Sequence, residues 1–209
     1  MEKILLIDDK VLPNSNSYEV EKWKKIVGDD YHEYIDIHRS AEAYFDWDNA
    51  GNYCTPKFNI EDYAFVFIHH SQKGDSYFPS NTIEFIKQFL KGKLVLYSGN
   101  IEEKLINDEY PDFTYRSIKR QNLSDKLLEF IKKSILLKTW EIELLFFDYE
   151  KRLMGRLMKM IDTDFSKEEI LNSREFNQFL ALKFVKKNSE VYHKIISDEV
   201  DLINALKNL

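Results

Sequence analysis

Groups with the makings of a phosphoryl-transfer or metal site are spread along the first part of the chain: Asp8 and Asp9, His69, Ser98 and Lys119. An adjacent pair of aspartates presents oxygen ligands to a hard divalent cation such as Mg²⁺. A serine hydroxyl and a lysine ammonium beside them would stabilise the oxygens of a transferring phosphoryl group. Such a site also wants a third carboxylate, and the chain offers His69, with His70 beside it, instead. Imidazole suits Zn²⁺, Mn²⁺ or Fe²⁺ better than Mg²⁺, so Asp8, Asp9 and His69 together would hold a transition metal and activate water. Two other readings stand beside that one. The histidine is a phosphorylation site, or it is a protonated ring that holds the two aspartates with no cation at all. We prefer the last.

These groups form a site only if the fold gathers them, and the elements around them predict that it does. Asp8 ends the apolar run Ile4 to Ile7, and His69 ends the run Ala64 to Ile68. Ser98 closes "KLVLYS", and Lys119 closes the weaker "PDFTYRSIK". Short, continuously apolar runs suit strands covered on both faces, as in a parallel sheet. A further strand is expected in "YIDIHRS". Between these lie helical patterns. One has Val20, Trp23, Ile26 and Val27 and stops at Gly28; another, "NTIEFIKQFLKG", has Asn81 as its cap and Gly92 as its stop. A short helix is expected over "IEEKLIND", and a long one over "NLSDKLLEFIKKSILLK" with Ser124 as its cap. The stretch from Ala41 to Tyr63 resists assignment, because Gly51 and Pro56 limit regular structure. Alternating strands and helices predict a parallel sheet wrapped by helices, with functional groups at the carboxyl ends of the strands. From about Leu123 onward no strand is legible and Gly155 is the sole glycine. The chain is therefore read as an α/β domain over residues 1–135 followed by an all-α region over 136–209.

The ordered set "ILLIDD", "FVFIHHS", "LVLYSGN" and "SIKRQNLSDKLLEFI" resembles the receiver domain of bacterial two-component response regulators. The resemblance implies a flavodoxin-like, doubly wound sheet of five parallel strands. It makes Asp8 and Asp9 the metal pair for Mg²⁺ or another divalent cation, Ser98 the switch hydroxyl and Lys119 the switch lysine. It also implies a phosphoacceptor aspartate at His69 and a proline at Arg120, and this chain departs at both. Imidazole cannot form an acyl phosphate. The chain then reads as a pseudo-receiver, a non-enzymatic signalling protein that works through protein–protein contacts. The resemblance places its interaction surface at Ile101 to Ile106, Tyr115 and Leu123 to Ile131. The helical extension becomes an output or dimerising element. The alternative reading is a metal-dependent hydrolase or phosphotransfer enzyme using Asp8, Asp9 and His69.

Composition narrows the field. The 209 residues are 44% hydrophobic and 32% charged, as in globular rather than disordered chains. A formal charge of −6 counts against nucleic acid as the partner, which would need a basic face. The basic run "KRLMGRLMKM" is read as a solvated helix face. One cysteine, Cys54, excludes an internal disulfide and CxxC metal sites. No apolar run reaches the roughly 20 residues of a membrane span, and the cytoplasm is the expected compartment.

Overall fold

Ile4 to Ile7 are apolar at every position, so a strand made of them must be covered on both sides. In the computed structural model β1 (Lys3–Ile7) buries all four of them. The structure describes residues 2–10, 19–48, 53–70, 80–103, 116–146, 149–163, 165–187 and 189–197. In α1 (Val20–Val27) the buried residues Val20, Trp23 and Val27 recur at helical spacing, and the helix stops at Gly28. Gly28 has φ +74°, a conformation that favours glycine, and its N–H donates to the Lys24 carbonyl at 2.9 Å. β2 (Ile35–His38) follows.

The stretch that resists assignment in the sequence holds an antiparallel pair, β3 (Phe45–Trp47) and β4 (Cys54–Pro56), together with short 3-10 turns at Ala41–Ala43 and Ile60–Asp62. Strands of three residues are too short to display an alternation, which is why they escape notice. β5 (Tyr63–His69), α2 (Ser80–Phe89), β6 (Leu94–Ser98), β7 (Arg116–Lys119) and α3 (Arg120–Leu137) complete the series.

Five strands form a parallel sheet in the order β2-β1-β5-β6-β7. Side chains alternate between its faces. Val66 and Ile68 share a core with Leu5, Ile7, Leu94, Leu96 and the α2 residues Ile83 and Ile86. Phe65 and Phe67 instead meet Phe130 of α3, with ring centroids 6.3 and 6.4 Å apart.

Two expectations are corrected, and a third falls mostly outside the described residues. Asn81 lies inside α2 rather than before it. Ser124 also lies inside its helix, because α3 starts at Arg120 directly from β7; its hydroxyl donates back to the Gln121 carbonyl at 2.8 Å, a common use of serine within a helix. The helix expected over "IEEKLIND" is not seen at Ile101 to Glu103, which carry no regular structure, and residues 104–108 lie outside the described residues. The expected interaction surface changes with it. Tyr115 is outside the described residues, while Leu123, Leu127, Phe130 and Ile131 are fully buried. Asp125, Lys126 and Glu129 are what α3 exposes there.

The chain divides into two compact units, Met1–Ile131 and Lys132–Leu209, so the division falls within α3. The second unit contains α4 (Glu143–Phe146), α5 (Tyr149–Asp162), α6 (Lys167–Asn172), α7 (Arg174–Leu182) and α8 (Glu190–Ile196). α5, α6 and α7 pack on one another, burying Leu153, Leu157, Ile170, Phe176 and Phe179. Ser166, Ser173 and Ser189 cap α6, α7 and α8 by accepting the N–H three residues on. No described helix is long and apolar enough to cross a membrane.

Candidate functional site

Asp8 follows Ile7 at the carboxyl end of β1 and is 0% exposed. A buried carboxylate is costly unless its lone pairs are matched by donors. Here they are matched. The Lys10 N–H donates to Oδ1 at 3.1 Å, and the Trp23 indole N–H donates to Oδ2 at 2.5 Å. Arg120, the first residue of α3, forks across both oxygens, with Nη1 3.4 Å from Oδ1 and Nη2 in contact with Oδ2. The two-toothed fit of guanidinium to carboxylate supplies charge and geometry together.

The pocket around that pair is aromatic and closely built. The Arg120 guanidinium lies 5.5 Å from the ring centroid of Trp23 and 5.7 Å from that of Tyr97. Those two rings meet edge to face at 5.7 Å. Cation–π attraction therefore adds to the ion pair. The Tyr97 hydroxyl donates to the Ile7 carbonyl at 3.0 Å. Burial, and then the neighbouring Asp8 charge, hold this phenol well above its ordinary pKa. Glu19 Oε2 lies 3.3 Å from Arg120 Nη2 and is buried without a hydrogen bond.

Asp9 faces β5. His69 Nδ1 lies 2.9 Å from Asp9 Oδ1 and 3.8 Å from Asp8 Oδ1, and its side chain is 8% exposed. An ionised carboxylate only accepts, so Nδ1 carries the proton of this hydrogen bond. The imidazole packs against Tyr97 at 5.5 Å. His70 takes no part in the cluster. Its backbone N–H donates to the Tyr97 carbonyl at 2.8 Å. Burial first, then Lys87 and His69, lower its pKa and favour the neutral ring.

The structure thus brings Asp8, Asp9 and His69 together, with one ligand atom from each within 4.8 Å of the others. Ser98 is buried at the end of β6, in register with Lys119. Among the described residues no hydrogen bond joins the Ser98 hydroxyl or the Lys119 ammonium to either aspartate. Lys119 is exposed, and its backbone N–H donates to Glu103 Oε1 at 2.9 Å. The cation on Asp8 is Arg120, one residue further on. Lys119 shares a face of β7 with the buried Ser117 but stands at the exposed end of the strand, whereas the change to helix at Arg120 brings the next side chain onto Asp8.

Sequence reasoning missed Arg120, Trp23, Glu19 and Tyr97 as parts of this site. Trp23 carried a signal, since a buried indole N–H needs an acceptor, and Arg120 is adjacent to Lys119 in the sequence.

As placed, the residues do not fit Mg²⁺, which wants near-octahedral oxygen ligands and retained water. Both Asp8 oxygens already take two donors each, a guanidinium supplies the positive charge, and the third ligand is an imidazole. Comparison of the chain with protein-family models, curated proteins and solved structures finds no match.

Proposed function

We propose that this protein is a non-enzymatic regulatory module: a pseudo-receiver with a doubly wound, flavodoxin-like first unit, acting in the cytoplasm by binding a protein partner. The observation that carries this reading is the forked pairing of Arg120 with the fully buried Asp8. A phosphorylatable site needs an acceptor carboxylate, an exchangeable cation and a lysine free to reach the phosphoryl oxygens. In their places stand the His69 imidazole, a covalently tethered guanidinium and an outward-facing Lys119. A pocket closed in this way leaves no place for a phosphoryl group or an exchangeable cation, and on this reading it presents a constant surface. The strand order supports the reading too, because it sets the carboxyl ends of β1, β5, β6 and β7 side by side.

The test is incubation of the full chain with acetyl phosphate and Mg²⁺, followed by intact-mass analysis. No phosphate adduct is expected, and a stoichiometric adduct would overturn the proposal. The compact Asp8–Asp9–His69 ligand set favours a second reading, the metal-dependent hydrolase. Manganese-dependent hydrolysis of p-nitrophenyl phosphate that disappears in Asp9→Ala would establish it instead.

A further inference from the structure

A cation already sits among these carboxylates, and it belongs to the chain itself. We infer that Arg120 masks a latent transition-metal site made by Asp8, Asp9 and His69, and that a divalent ion of the zinc, cobalt or manganese class takes the place of the guanidinium once that side chain is removed. This inference rests on the closed-pocket reading above and adds what the pocket would bind when opened.

The three ligand atoms already lie within 4.8 Å of one another, so no large movement is needed to bring them onto one ion. Two carboxylates and an imidazole form a mixed oxygen and nitrogen set, which selects against Mg²⁺ and for borderline metals. Independently of that set, Glu19 has a side chain only 8% exposed and a buried Oε2 with no hydrogen-bond partner, 3.3 Å from the guanidinium. Among the described residues the Glu19 charge is balanced by Arg120 alone, so removal of the guanidinium leaves a further buried anion beside Asp8 and strengthens the pull on an incoming cation.

The mask is effective for stated reasons. Arginine cannot shed its charge, the group is tethered next to its anion, and the rings of Trp23 and Tyr97 hold it there. A free metal ion would have to displace all of these contacts at once. His69 would also have to give up its Nδ1 proton or offer its other nitrogen, since Nδ1 is engaged with Asp9.

The experiment uses the full chain as wild type, as Arg120→Ala and as Arg120→Met, the last retaining apolar contact with the two rings. Each is titrated with Co²⁺ by visible absorption, and zinc content is measured after dialysis. Wild type is expected to bind neither ion stoichiometrically. Each Arg120 variant is expected to bind one ion per chain, to prefer it over Mg²⁺, and to lose it when His69→Ala is added. Metal at a hundredfold excess over its dissociation constant should raise the melting temperature of the variants by about 5–10 °C.

Folded variants that take up no metal would overturn the inference. So would wild type binding as tightly as the variants, or uptake indifferent to His69→Ala. If both variants are unfolded in chelator, the inference requires Co²⁺ or Zn²⁺ to refold them, and failure to do so overturns it as well. The two proposals fail separately. Phosphate labelling of wild type removes the regulatory reading and leaves the mask intact, whereas metal-free Arg120 variants remove the mask and leave the regulatory reading standing.

Discussion

Arg120 and Arg174 each grip a carboxylate, one in each compact unit, and they differ in how far the arginine itself stands in solvent. In Met1–Ile131, Arg120 is 12% exposed and its partner Asp8 is fully buried. In Lys132–Leu209, Arg174 is 63% exposed, while its partner Glu141 is 15% exposed and also accepts from Gln178; Arg174 donates to Thr139 as well. The chemistry of the two pairs is the same. The dielectric around them is not, and that decides what each pair does. Removing Arg120 strands a charge where water cannot reach it, whereas a mostly solvated arginine leaves at little cost when its carboxylate keeps another donor, as Glu141 keeps Gln178. The first unit therefore has a charge network that its fold depends on. The second relies on apolar packing of α5, α6 and α7 and on serine caps.

The strongest way to break this contrast is Arg120→Ala. It leaves Asp8 buried and uncompensated and should cost about 3–5 kcal/mol, read as a fall in the urea midpoint with an unchanged slope. A loss below about 1 kcal/mol would place Arg120 in the class of surface arginines. Next in size is Trp23→Phe. It keeps an aromatic ring against Tyr97 but deletes the N–H that donates to Asp8. A hydrogen bond to a charged group predicts a loss of about 1.5–3 kcal/mol. Because both residues serve one carboxylate, the double variant should cost less than the sum of the singles. Additive losses would mean that the two donors act independently.

The same two residues show what the sequence can and cannot carry. The central strands were legible because Ile4 to Ile7, Ala64 to Ile68 and Leu94 to Leu96 are apolar runs that only burial on both faces explains. The meeting of Asp8, Asp9 and His69 followed from the same reasoning, since each stands at the carboxyl end of its strand and β1 and β5 are neighbours. The identity of the cation was not legible. Lys119 and Arg120 are adjacent and alike in charge, and a shift of one position at a strand end reverses which side chain faces inward. That register is set by the pairing of Ser98 with Lys119 across β6 and β7, a long-range fact that no local pattern contains. Trp23 showed its apolar face in the helical spacing, but the direction of its N–H depends on where β1 ends in space. β3 and β4 were hidden by their length alone.

Smaller effects are expected in the second unit, and they sharpen the contrast from the other side. Ser166 accepts the Glu169 N–H at 3.3 Å, and Glu169 accepts the Ser166 N–H at 2.7 Å. Ser166→Ala should cost about 1 kcal/mol. The bonds from the Ser166 N–H and hydroxyl lower the Glu169 pKa. Its folded-state value then lies below its unfolded one, so the cap's contribution is complete above the ordinary glutamate range and fades as pH falls through the folded value. Helicity followed by circular dichroism should show that acid-side loss in wild type and a weaker one in Glu169→Gln. An equal loss in the variant would detach the pH dependence from the cap.

The smallest change expected is Arg174→Ala. Its guanidinium is mostly solvated, so the pair with Glu141 gains little from Coulomb attraction, and salt screens what it gains. The Gln178 side-chain amide, which donates to the same Glu141 oxygen at 3.1 Å, keeps the carboxylate partnered after the arginine has gone. The loss should stay below about 0.5–1 kcal/mol and shrink further in high salt, measured as urea midpoints at low and high ionic strength. Arg120→Ala should show almost no such salt dependence, because its pair is shielded from the solvent ions. If Arg174→Ala proved as costly as Arg120→Ala, exposure would not be what separates the two arginines, and the charge network of the first unit would lose its special standing.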